Sequence, residues 1–147
     1  MNNDNAIRFY IAALKKLQIP FELGLTTKRD DMRFDSKFPS YMYAKNYVFY
    51  FPSVEKYLSP LSIYSRLGFP MPEVLGNEGL FIKEVDVSGI TSSSSKIKTI
   101  QVNDFKKSYH LTEVKAALDF EKSSVTLDVV QSQAGYSAFY SQPIYRY

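Results

Sequence analysis

The spacing of apolar residues near the start of the chain predicts one amphipathic helix. Apolar side chains recur every three or four residues from Ile7 to Leu17, the period of a helix that buries a single face. Residues 2–4 (Asn-Asn-Asp) offer N-cap side chains, and Pro20 ends the helix. Because only one face is apolar, we expect another element, most simply a sheet, to cover it.

Three short strands are predicted after the helix. Residues 21–26 alternate between apolar and polar or small side chains, which is the period of a half-buried strand. Residues 46–51 (NYVFYF) form a second, strongly aromatic strand, and residues 56–58 (KYL) a third. The connections within this group favour antiparallel pairing.

The second half of the chain alternates between loop and strand signals. Residues 59–79 are rich in Pro and Gly yet carry several apolar side chains, so we predict a long ordered loop. Residues 80–87 (LFIKEVDV) predict a strand, and alternation beyond residue 96 predicts further strands with a hairpin turn at 121–124. A helix over 112–120 remains an alternative, because short apolar runs fit both periods.

Two parts of the chain are separated by a run of small polar residues. Residues 89–96, which include TSSSS, are predicted to be a linker because such side chains bury little surface. We therefore expect a core over 1–88 and a β-rich extension over 97–147. The predicted fold class is α+β, with an N-terminal helix packed on an antiparallel sheet and a mainly β C-terminal extension.

Composition excludes several classes of function. The chain has 18 basic and 15 acidic residues, a balance that argues against nucleic-acid binding, which needs a clustered basic face. It has no cysteine, so a disulfide, a cysteine-ligated metal and a cysteine nucleophile are all absent. No stretch has the apolar length of a membrane span, and the N-terminus lacks a signal-peptide pattern. The chain is therefore expected to be either cytoplasmic or a piece of a longer protein.

Few residues offer catalytic or metal-binding chemistry. His110 is the sole histidine, and no Ser-His-Asp or Cys-His spacing surrounds it, so we interpret it as a surface or interface residue. Asp30, Asp31 and Asp35 are interpreted as part of a solvated loop. The glycines form no phosphate-binding loop. We expect no metal and no cofactor.

Tyrosines are concentrated in the middle of the predicted core. They could pack the sheet, or they could form a platform on which sugars or peptide side chains stack, since tyrosine combines apolar area with a polar tip. The sequence leaves both interpretations open. The cluster consists of Tyr41, Tyr43, Tyr47, Tyr50 and Tyr57.

The order of several short motifs resembles a known family. AALKKLQIPFELGLTTKRD is followed by FDSKFPS, NYVFYFPS, KYLSP and GFPMPEVLGNEGLFIKEV. Residues 6 to 87 thereby resemble the second half of the bacterial transglutaminase-like domain, a papain-like fold of large envelope proteins. The tail VTLDVVQSQAGYSAFYSQPIYRY resembles the start of the β domain that commonly follows it. The resemblance implies a piece of a larger protein that is periplasmic or associated with the cell envelope.

The resemblance also implies the position of a site. The family uses a cysteine at the helix start, a histidine on the next strand and an aspartate on the one after, and the matching positions here are Asn3, Tyr47 and Ser59. An amide, a phenol and a hydroxyl cannot replace a thiolate, its base and an orienting carboxylate. The resemblance thus implies a catalytically inactive structural or binding module. A cleft lined by these three residues, with Arg29, is expected to bind a protein or glycan or to position neighbouring domains.

Two other functions remain open at this stage. One is a hydrolase or acyltransferase with a non-cysteine nucleophile such as Ser59 or Ser53, although neither has a neighbouring base in the sequence. The other is a passive structural spacer whose cleft is filled. Solvent access to Tyr47 would distinguish a spacer from a binding module.

Overall fold

The computed structural model describes residues 3–37 and 42–144, and the chain divides into two compact units, Met1–Val102 and Asn103–Tyr147. Some sequence predictions fall outside the described residues. They concern the capping residue Asn2, the last three residues of the motif FDSKFPS (38–40), Tyr41 and the last three residues of the quoted tail, 145–147.

Over residues 3–37 and 42–102, the first unit contains one α-helix and a five-stranded antiparallel sheet. The strands lie in the order β3-β2-β1-β4-β5, so β4 pairs with β1 although the long loop separates them in sequence. An N-terminal helix with an antiparallel sheet confirms the α+β prediction at this level. The elements are α1 (Asn3–Lys16), β1 (Glu22–Thr26), β2 (Asn46–Phe51), β3 (Lys56–Leu58), β4 (Glu78–Val87) and β5 (Ile90–Thr99).

Helix α1 packs on the sheet mainly through its first turns. Ala6 and Ile7 are buried, and the ring of Tyr10 meets that of Phe49 edge to face, 6.4 Å between centroids. Burial decreases along the helix, and Leu17 is 67% exposed. The predicted apolar stripe is therefore only partly buried, because the sheet covers the beginning of the helix better than its end.

Strand β1 is covered on both faces rather than half-buried. Glu22 and Thr26, which the alternation places on its polar side, are buried, as is Gly24 between them. On that face the Phe81 ring lies directly over Gly24. The intervening leucines are only partly buried beneath α1. Both faces are covered because helix α1 lies over the leucine face, while side chains of the neighbouring strands, such as Phe81 of β4, cover the other face.

The Pro- and Gly-rich loop is ordered, as predicted. Its residue Asn77 is 2% exposed and acts as a hydrogen-bond centre. The Asn77 Oδ1 accepts from the N–H of Phe34, while its Nδ2 donates to the backbone oxygen and Oγ1 of Thr27, at 3.1, 3.1 and 2.9 Å. Ile100, which is fully buried, donates its N–H to Asn77 O at 2.9 Å. These bonds fix the loop without regular secondary structure.

The Ser-rich segment differs from the predicted linker. Residues 90–99 form β5, which pairs with β4 through Ser92 to Ser95 and on to Thr99. The division between units instead falls after Val102. Backbone N–H and C=O groups make the ladder whatever the side chains are, so a serine run can be ordered by a neighbouring strand.

The second unit is built on a two-stranded antiparallel ribbon, β6 (Tyr109–Asp119) and β7 (Ser124–Ala134). The hairpin turn before Ser124 is confirmed, and the alternative helix over 112–120 is wrong. The apolar period of residues 112–120 fits both a helix and a strand, and hydrogen bonding to β7 stabilises the strand. No helix among the described residues has the length and apolar character that a membrane crossing requires.

Candidate functional site

A cavity of about 210 Å³ lies in the first unit, and Asn3, Tyr47 and Ser59 all line it. These residues come from the start of α1, from β2 and from the residue that follows β3. They are far apart in sequence and meet here because β2 and β3 are paired and α1 lies over the sheet. Further lining residues are Lys28, Lys45, Asn46, Leu61, Ser62, Met71, Glu73 and Val74.

Tyr47 connects the sheet to the helix at this cavity. Its hydroxyl donates a hydrogen bond of 3.1 Å to Oδ1 of Asp4 in the first turn of α1. Burial raises the pKa of Tyr47 above its ordinary value, and the hydrogen bond and the negative charge of Asp4 raise it further. The phenol is therefore neutral at physiological pH. Its side chain is partly exposed, so it borders open space.

Ser59 is held by the loop that follows it. Its Oγ accepts a hydrogen bond of 3.0 Å from the N–H of Met71, and its own N–H donates to Ser65 Oγ at 2.8 Å. The residue is 6% exposed. The sole histidine of the chain, His110, is exposed on β6 in the second unit, where its Nε2 lies 3.4 Å from Gln133 Nε2. The hydroxyl of Ser59 thus has a structural partner, and the first unit contains no histidine that could act as its base.

Arg29, the fourth predicted residue, is not among the lining residues. Its backbone N–H donates a hydrogen bond of 2.7 Å to the carbonyl oxygen of Glu73, which does line the cavity. Arg29 therefore supports the cavity wall through its main chain. The other proposed nucleophile, Ser53, is exposed in the turn between β2 and β3 and does not line the cavity.

The charged lining residues were not predicted from the sequence, although a signal for two of them exists. Lys28 follows β1 closely, and Lys45 directly precedes β2. In an antiparallel pair the end of one strand lies beside the start of the other, and here Thr26 is opposite Asn46. The predicted pairing of the two strands would have brought both lysines to one edge of the sheet. No such local pattern points to Glu73, which the long loop supplies.

The cavity combines opposite charges, neutral hydrogen-bonding groups and an apolar lining. Two ammonium groups and one carboxylate lie among amide, phenol and hydroxyl groups, with Leu61, Met71 and Val74 as apolar lining. Such a surface can hold a polar group by hydrogen bonds and charge. Among the described residues, no cluster of three or more acidic or histidine side chains is arranged to hold a metal ion.

Comparison with protein-family models, with curated proteins and with solved structures finds no match to this chain. The transglutaminase-like resemblance therefore stays a prediction based on motif order.

Proposed function

We propose that the chain is a non-catalytic, transglutaminase-like module of a larger cell-envelope protein and that it binds a polar segment of a protein or glycan in the cavity. The observation that supports this most is the common location of Asn3, Tyr47 and Ser59. Motif order equates these positions with a catalytic triad, and residues in such positions have to share one site. The proposal also includes a role in positioning neighbouring domains of the parent protein.

The chemistry of these residues supports binding rather than turnover. A neutral phenol with a raised pKa is a poor base, and an asparagine amide is not a nucleophile. The hydroxyl of Ser59 is hydrogen-bonded to Met71 N–H and lies in a unit without histidine. A hydrolase based on Ser59 would need a general base within hydrogen-bond reach of the hydroxyl, and that hydroxyl is hydrogen-bonded to the N–H of Met71 instead.

The size of the cavity sets the size of the bound group. About 210 Å³ corresponds to roughly seven water molecules at the liquid volume of about 30 Å³ each. That volume accommodates one amino-acid side chain or part of one sugar ring. In this proposal a longer protein or glycan chain inserts a single group into the cavity. An open cavity beside a partly exposed Tyr47 favours binding over a filled, passive spacer.

NMR titration of the labelled chain tests the proposal with defined probes. The probes are the capped tripeptides Ac-Gly-Glu-Gly-NH₂ and Ac-Gly-Lys-Gly-NH₂ and a tetramer of N-acetylglucosamine. We expect one of them to shift the amide signals of Tyr47, Ser59 and Glu73. Lys45→Glu should abolish the shifts caused by the glutamate probe and strengthen those caused by the lysine probe, since it reverses a charge of the cavity, whereas Lys16→Glu, at the far end of α1, should leave both unchanged.

Two results would contradict the proposal. The first is the absence of shifts at the cavity with every probe at millimolar concentration, which would favour the spacer. The second is covalent labelling of Ser59 by a serine-reactive phosphonate, which would revive the hydrolase.

A further inference from the structure

The β4–β5 edge of the sheet separates basic from acidic side chains. Successive residues of a strand point to opposite faces, and residues directly opposite each other in an antiparallel pair point to the same face. Phe81 pairs with Lys96, and Lys83 pairs with Ser94. Lys98 is two residues beyond Lys96, so all three lysines of β4 and β5 share the face that carries Phe81. The acidic residues of β4 point to the opposite face, towards α1, and they are Glu78, Glu84 and Asp86.

The three lysines line one pocket of about 200 Å³. Lys83 is diagonal to Lys96 across the ladder, a separation of about 7 Å that long side chains can bridge. Lys98 lies at about the same distance from Lys96 along β5. Three ammonium groups can therefore approach one group in the pocket. The other lining residues are Glu22, Phe81 and Ser94, and none of the six lines the cavity between α1, β2 and β3.

Only one of the three positive charges in this pocket is balanced. Lys98 forms an ion pair with Glu22, which is the one acidic residue among the described lining side chains. Lys83 and Lys96 are exposed and form no ion pair within residues 3–37 and 42–144. Three ammonium groups and one carboxylate leave two positive charges. Like charges this close repel each other, so an anion between them is favoured.

We propose that this pocket binds the phosphate group of a phosphate monoester or of inorganic phosphate. A phosphate monoester carries a charge of about −1.5 to −2 at neutral pH and three acceptor oxygens, which matches the two unbalanced positive charges. Each ammonium group has three N–H donors, and the hydroxyl of Ser94 adds another. A carboxylate carries a single charge and leaves the pocket cationic.

The aromatic residues beside the lysines favour a phosphate over an aromatic ligand. Phe81 and the neighbouring Tyr57 are buried. The Nζ of Lys98 lies 4.7 Å from the ring centroid of Tyr50 and covers that ring. The three rings therefore offer little open face on which a base could stack. Their contacts hold Lys98 in place, and the ligand meets the lysines and Ser94.

NMR titration of the labelled full chain tests the site. Sodium phosphate is one probe, the phosphopeptide Ac-Gly-pSer-Gly-NH₂ is the monoester probe, and acetate is the singly charged comparison, with sodium chloride keeping the ionic strength constant. We expect phosphate or the phosphopeptide to shift the amide signals of Lys83, Ser94 and Lys96 and to bind more tightly than acetate. Binding of either source supports the proposal, and the tighter one identifies the form in which the phosphate arrives.

Removal of either unbalanced lysine should weaken phosphate binding. Lys83→Gln and Lys96→Gln should each raise the Kd by about two- to fivefold, the range that single exposed ion pairs give. Lys16→Gln is the matched control, because it removes the same charge at the end of α1, away from the pocket, and should leave the Kd unchanged.

Three results would overturn the phosphate site. One is the absence of shifts at these amides with both phosphate sources at about 50 mM, a concentration that detects even millimolar affinity. Another is equal affinity for acetate and phosphate. The third is an equal effect of Lys16→Gln and the two pocket variants, which would mean that phosphate responds only to the net charge of the chain.

Discussion

The hydroxyl of Tyr47 donates a hydrogen bond of 3.1 Å to Asp4, and this contact joins β2 to the first turn of α1 beside the cavity. It also places a phenol next to a carboxylate. Burial first, then the hydrogen bond and charge of Asp4, raise the pKa of Tyr47 above the ordinary value of about 10.

The raised pKa predicts a specific loss of stability at alkaline pH. A group whose pKa is higher in the folded state stabilises fully below its unfolded pKa, and this contribution is lost as pH rises through the folded pKa. Tyr47→Phe should therefore reduce the fall in unfolding free energy above about pH 10, because phenylalanine cannot ionise. Asp4→Asn should have a smaller effect, since burial is the larger cause. Urea unfolding at a series of pH values measures both.

Tyrosine absorbance gives an independent measurement. The chain has 12 Tyr and no Trp, so phenolate formation can be followed directly. Burial also raises the pKa of Tyr57, with a further contribution from the nearby Tyr50. In the unmodified chain we expect some tyrosines to ionise above the ordinary tyrosine pKa, and in Tyr47→Phe we expect one fewer of them. Ionisation of Tyr47 at or below its ordinary pKa would show that the contact with Asp4 is absent in solution.

Close packing of Phe81 on Gly24 predicts that Gly24→Ala destabilises the first unit. A Cβ at this position would lie 2.6 Å from Cε1 of Phe81, well inside contact distance. Overpacking of this kind costs about 1–3 kcal/mol. Denaturant unfolding of Gly24→Ala, Phe81→Leu and the double variant gives the coupling free energy between the two positions. The cost of Gly24→Ala should shrink in the Phe81→Leu background, and an unchanged cost would refute the ring contact as its cause.

The hydrogen bonds of Asn77 predict a large effect of its removal. Asn77→Ala would leave the N–H groups of Phe34 and Glu78 and a carbonyl of Thr27 without their buried partner. Each unsatisfied buried group costs about 1–3 kcal/mol, so we expect a loss of at least about 3 kcal/mol. Asn77→Asp keeps the acceptor but puts a buried carboxylate oxygen against the carbonyl of Thr27, so it should cost at least as much at neutral pH and less at acidic pH, where the protonated carboxyl can donate again. Thermal unfolding of both variants at neutral and acidic pH checks this, and an Asn77→Asp loss that does not shrink relative to that of Asn77→Ala at acidic pH would argue against the donor role.

The ion pair between Lys98 and Glu22 predicts that removing Lys98 alone lowers the unfolding free energy more than removing both charges does. Lys98 Nζ lies 2.5 Å from Glu22 Oε2 and 4.7 Å from the ring centroid of Tyr50. Lys98→Met leaves the largely buried carboxylate of Glu22 without its cation and should lower the unfolding free energy by about 1–3 kcal/mol. This is less than for a fully buried ion pair, because Lys98 is partly solvated. Adding Glu22→Gln should recover part of that loss. No recovery in the double variant would mean that the pairing contributes little.

The site was only partly predictable from the sequence. Motif order selected Asn3, Tyr47 and Ser59, which line one cavity, but it also selected Arg29, whose side chain does not. Glu73 could not be selected, because the long loop has no period from which its direction could be read. Residues from such a loop reach a site through hydrogen bonds made elsewhere, here around Asn77.

The sequence by itself determined the local elements: a helix that ends before Pro20, strands at 46–51 and 56–58, and a hairpin before Ser124. These depend on side-chain period and turn residues, which act over a few positions. Tertiary structure alone decided that the serine run of β5 is a strand, that Glu22 faces a buried layer, and that β4 lies beside β1. The reason is that a sheet is completed by backbone hydrogen bonds between segments distant in sequence, and no local pattern encodes which segment will be the neighbour.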